Sequence, residues 1–167
     1  MAVVAALTGG GVFGSPAPVH AGPFDLFTGS FSATGTVVEG PRAESHSVTC
    51  SFVSSPNRPT SFGLRGKCWA YRVFSRSISA DLALDPRSGR VTGTYIGARV
   101  GTARLSGQQQ GSLIKLSIIW PAPVFGNMTS AMTIARNDHN HLRITVLSRI
   151  GADGPIRATT DLLLRRN

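Results

Sequence analysis

The chain reads as an all-β protein: a small closed antiparallel up-and-down β-barrel of about 8–10 strands, with a β-sandwich as the alternative. Three observations predict this. Apolar and polar residues alternate one by one over many short segments, the mark of strands with one face buried. Nineteen glycines and ten prolines interrupt those segments at intervals of about 10 residues, the spacing of hairpin-connected strands. Good helix formers for exposed positions are scarce, since Glu39, Glu44, Lys67 and Lys115 are the only glutamates and lysines.

The stretch Val91–Arg149 shows the pattern best. In Leu113-Ile-Lys-Leu-Ser-Ile-Ile-Trp120, the side chains of Ile114, Leu116, Ile118 and Trp120 fall on one face, with Lys115 and Ser117 on the other. Earlier in the chain, Phe31, Ala33, Gly35 and Val37 oppose Ser30, Ser32, Thr34 and Thr36, and Gly40-Pro41 breaks that strand. A second strand runs from about Ser45 to Val53 and carries Val48, Cys50 and Phe52 on one side. Residues 54–59 read as a turn-rich connection, followed by strands over Phe62–Tyr71 and Val73–Leu84. Asp85-Pro-Arg-Ser-Gly89 has turn composition. Val91–Gly97 and Arg99–Leu105 are two strands or one kinked strand, and Gly107–Gly111 is the hairpin leading to Leu113. Pro121 is expected to end the Trp120 strand, because proline donates nothing to a ladder. Met128–Arg136, His141–Arg149 and Ile156–Leu164 complete the set.

Residues 1–21 carry no charge and include the apolar run Ala2–Leu7, followed by small residues at Val19 and Ala21 where a signal peptidase would read. This segment is read as a secretory signal, leaving residues 22–167 as a single domain. No later apolar run approaches membrane-spanning length, so no transmembrane segment is expected in the mature chain. A periplasmic or secreted location follows from that reading. Cys50 and Cys68 lie on neighbouring predicted strands and are expected to pair as a disulfide in such an oxidising compartment.

Fifteen arginines and two lysines against eight acids give a net charge of +9. Such a balance favours contact with an anionic envelope surface or simply gives a basic, well-solvated exterior. Nucleic acid is not the expected partner, because there is no aromatic ribonucleoprotein motif, helix-turn-helix pattern or zinc-finger spacing. No nucleophile elbow, phosphate loop or His-Glu-x-x-His occurs, so no catalytic residue, metal or cofactor is assigned. His139 and His141 beside Asp138 read as an ordinary polar turn rather than a metal site. An enzyme would need Asp81 or Asp161 to face the lumen; pairing with an arginine such as Arg104 or Arg157 is the plainer expectation.

The aromatic residues point to a ligand. Trp69 and Tyr71 share a strand with Arg65, and Trp120 is close in sequence to Phe125; these five are the candidate contacts for an apolar or amphipathic small molecule, such as an envelope lipid. Phe27-Thr-Gly-Ser-Phe31 resembles the opening of lipocalin-like (calycin) barrels. Those often begin Gly-x-Trp where this chain has Gly29-x-Phe31, the later signatures are absent, and no family follows from so few residues. The expectation is an exported binding barrel. The alternative is an envelope protein-interaction or structural module, or an inhibitor of a secreted enzyme, using residues 54–60 and 121–127 as its surface.

Overall fold

A computed structural model describes residues 24–40, 42–71 and 74–167, so the proposed signal segment lies outside the described residues. Ten strands follow one short 3₁₀ turn, Asp25–Phe27: β1 (Gly29–Glu39), β2 (Glu44–Arg58), β3 (Ser61–Ala70), β4 (Phe74–Leu84), β5 (Arg90–Ile96), β6 (Ala103–Gln110), β7 (Leu113–Val124), β8 (Asn127–Arg136), β9 (His141–Arg149) and β10 (Ile156–Arg166). Every strand pairs antiparallel with its sequence neighbour, and β1 pairs with β10 from Phe31↔Arg166 to Val37↔Thr160, closing the barrel. The sandwich alternative is thereby set aside. Closure removes the two free edge strands that an open sheet of the same strands would have.

Side-chain parity carries through the wall. Ile114, Leu116, Ile118 and Trp120 all point inward and are 0–5% exposed, whereas Ser30, Ser32, Thr34 and Thr36 stand in solvent. A wall that is apolar inside and polar outside is the inverse of a membrane-spanning barrel. No helix among the described residues is long and apolar enough to cross a membrane. Tight coiling of the strands needs missing side chains at certain inward positions. A Cβ at Gly35 would run into the carbonyl oxygen of Asp161 on β10, and one at Gly66 would strike the Phe52 ring.

One end of the barrel is plugged. The 3₁₀ turn lays Phe24 and Phe27 over Phe62, with ring centroids 4.6 and 6.4 Å apart, and Phe31, Ile114 and Leu164 are buried beneath. Each such side chain contributes about 1.5–3 kcal/mol when fully buried. Cys50 and Cys68 face each other in the β2–β3 register and form a disulfide on the inner wall.

Several boundaries differ from the sequence expectations. β7 runs through Pro121 and Pro123 to Val124, because its partners β6 and β8 have stopped regular pairing beyond Ile119 and no amide hydrogen is needed there. β6 starts at Ala103, not Arg99, and continues past Gly107 to Gln110; the turn is Gly111-Ser112 alone. β2 extends to Arg58, absorbing most of the expected 54–59 connection. Consequently residues 54–60 lie at the plugged end and 121–127 at the other end, so the two stretches form no common surface.

Candidate functional site

Ten strands make a wider ring than the eight whose inward side chains just fill a barrel. The surplus space here is a cavity of about 1050 Å³, closed below by the phenylalanine plug and open at the end opposite. Its middle is apolar, with Phe52, Ile78, Leu105, Met132, Ile144 and Leu162 among the lining side chains. Polar groups enter it in two places.

The first is near the mouth. Arg76 on β4 points inward, donates to Glu39 Oε1 on β1 at 2.7 Å and to the carbonyl oxygen of Gly97 at 3.2 Å. Tyr95 on β5 lines the cavity beside it, edge-on to Trp120 with centroids 5.9 Å apart. Burial pushes the Tyr95 hydroxyl up to about 12, and the positive charge of Arg76 only partly opposes this. The phenol is therefore a neutral hydrogen-bond donor at any ordinary pH, and no protein partner accepts from it among the described residues.

The second is a buried relay across four strands. Trp120 Nε1 donates to Ser130 Oγ at 3.0 Å, Ser130 and Ser148 hydroxyls meet at 2.9 Å, and Ser148 meets Thr159 at 2.9 Å. Thr159 then donates to the carbonyl oxygen of Val146 at 3.3 Å, which orients every hydroxyl in one direction. Thr159 reaches this position because β10 bulges between Ala158 and Thr160, turning the extra residue inward.

Two of the five candidate contacts, Trp120 and Phe125, line the cavity. The other three do not. Trp69 and Arg65 alternate with the inward-facing Cys68 and Leu64, so their side chains project from the outer wall, where Lys67 lies over the Trp69 ring at 5.7 Å. Tyr71 sits beyond the end of β3 with a left-handed backbone, is 70% exposed, and hydrogen-bonds His46 Nδ1 at 3.1 Å. A shallow dent on the outer wall includes Trp69 and Tyr71 but is separate from the barrel interior.

Asp81 and Asp161 are on the outer wall as well, so neither supplies a lumenal acid. Arg65 Nη2 donates to both Asp81 carboxylate oxygens at 2.8 Å, and Arg143 grips Asp161 through Nε and Nη2 at 2.8 and 2.6 Å. These partners, rather than Arg104 or Arg157, are the diagonal cross-strand neighbours. The Arg143 hydrogen bond holds the Asp161 carboxyl below the usual range. In the 137–140 turn, Asp138 accepts from the backbone of Asn140 and His141 and touches His141 Nδ1, giving a self-contained polar turn.

Sequence reasoning missed Arg76, Tyr95 and the hydroxyl relay. Arg76 had a readable signal: it interrupts the inward series Ile78, Ala80, Leu82 and Leu84 with a charge.

The fold and cavity define a closed ten-stranded up-and-down β-barrel with one open end. No protein-family model matches the sequence, and no curated protein matches it either. Among solved structures it is similar to Rv2717c from M. tuberculosis, with 15% identity and a TM-score of 0.67 over 88% of this chain and 98% of that one. It is also similar to the S-type phycobiliprotein lyase CPES from Guillardia theta, with 10% identity and a TM-score of 0.59 over 86% and 90% of the two chains. At such identities the likeness is one of fold.

Proposed function

We propose that this chain is an exported binding protein, periplasmic or secreted, that holds one apolar or amphipathic small molecule inside its barrel without transforming it. The observation that carries this reading is the cavity of about 1050 Å³, apolar along its length with donors gathered near the mouth. That volume is at the upper end of small-molecule sites, roughly 300–1,000 Å³, and suits an elongated or bulky hydrophobic body. Arg76 and the Tyr95 hydroxyl present donors to an acceptor group on the ligand, such as a carboxylate or ester head, while the tail points down the barrel. Export is supported by the uncharged residues 1–21 and fits the Cys50–Cys68 disulfide.

The test is native mass spectrometry of protein recovered from its own envelope, followed by titration of delipidated protein with a fluorescent long-chain carboxylate. A bound small molecule and saturable one-to-one uptake are expected. Ala80→Trp with Val146→Trp, on strands diametrically opposed in the ring, should abolish uptake while the fold persists. Ligand-free protein that also takes up no probe would refute the reading.

A further inference from the structure

The two ends of this barrel differ in a way that cavity binding does not require. Eight large apolar side chains are exposed among the described residues, and five of them, Tyr71, Phe74, Ile96, Met128 and Ile156, stand at the open end. They flank four of its five connections: β3–β4, β5–β6, β7–β8 and β9–β10. The remaining three, Val53, Leu147 and Leu163, are on the side wall, and none flanks a connection at the plugged end. Exposed apolar residues scattered singly need no explanation, but a ring of them around an opening does.

We propose that the mouth docks on an anionic lipid surface, so that an amphiphile moves between the membrane and the cavity without crossing water. The transfer half of this statement rests on the binding function proposed above; the docking half does not. A ring of separate apolar side chains around a hole is poorly matched to a protein partner, which needs a continuous packed centre. A bilayer interface accepts such side chains one at a time, each sinking among headgroups and upper acyl chains.

The charges at the mouth agree. Glu39 and Glu44 are neutralised by Arg76 and Arg42, at 2.7 and 2.9 Å. Arg99 in the β5–β6 connection and Arg149 and Arg157 beside the β9–β10 connection then outnumber Asp153. Arginines at this level can reach lipid phosphates while their stems lie along the apolar ring. Phe125 and Val124, at the tip of β7–β8, line the cavity from the same edge, so the ring and the cavity wall are continuous.

Vesicles of phosphatidylcholine, with and without phosphatidylglycerol, test this by co-sedimentation of the protein. Association with the anionic vesicles is expected, weakening as salt is raised. Ile96→Ser/Met128→Ser/Ile156→Ser, at three exposed positions outside the cavity lining, should weaken it roughly tenfold or more. Val53→Ser/Leu163→Ser on the side wall should leave it unchanged. Uptake of a fluorescent long-chain carboxylate from water by the triple variant is measured in parallel and should match that of the parent protein. Failure to bind anionic vesicles, or binding that survives the triple substitution, overturns docking even where the probe is taken up. Docking without any probe uptake refutes the binding function and the transfer step alone. A soluble protein found capping the mouth, with no vesicle association, also overturns the proposal.

Discussion

Arg76 and Glu39 meet at 2.7 Å across the barrel mouth, although β2 and β3 separate the strands that carry them. The pair therefore spans the opening from the inside rather than lacing neighbouring strands. Nη1 is engaged by Glu39 and Gly97, and the guanidinium of Arg76, a residue of the cavity lining, carries further N–H donors. Arg76→Met should weaken a long-chain carboxylate about 10- to 100-fold, the loss expected for a charge-assisted hydrogen bond. Glu39→Gln should tighten it, since a competing anion is removed. Displacement of a fluorescent probe measures both, and equal affinities in all three proteins would mean that the head group is held elsewhere.

Tyr95 supplies a spectroscopic check. Its hydroxyl, raised from 10.0 to about 12 by burial, should stay protonated when ordinary tyrosines ionise. The folded state holds this proton more tightly than the unfolded chain. The resulting stability is fully present below about pH 10 and lost as pH rises toward 12. Ultraviolet titration of a Tyr71→Phe protein isolates the signal. A transition near pH 10 in folded protein would show that the phenol is solvated.

Ser130→Ala should leave the Trp120 indole hydrogen buried without an acceptor and break the directed chain to Thr159. An orphaned buried donor costs about 1–3 kcal/mol, a fall of several degrees in Tm. Leu163→Ala, exposed on the side wall, is the control and should change little. Equal Tm values for the two variants would show that the relay is not structural.

The Cys50–Cys68 bridge closes a loop with a separation of 18 residues. In the chain-entropy picture, removing it costs about 3 kcal/mol, so Cys50→Ala/Cys68→Ala should lower the midpoint of urea unfolding to that of reduced parent protein. A parent protein indifferent to reductant would contradict this.

Much of the barrel was legible because alternation is a local property. Ile114 through Trp120 needed only parity, and the facing cysteines followed from adjacent strands. The same parity, applied to β3, places Trp69 outside once Cys68 is inside; aromatic character alone does not mark a side chain as lumenal. Pro121 and Pro123 misled because a proline ends a strand only where its missing hydrogen has a partner to lose. The relay was out of reach, since Ser130, Ser148 and Thr159 come together through register and a bulge that no single segment encodes.

The phenylalanine plug makes the interior a vessel with a single door. Whatever occupies it must leave by the way it came, before a successor can settle. Exchange should accordingly be dissociative: the rate at which a bound molecule departs will not depend on how much competitor is waiting outside.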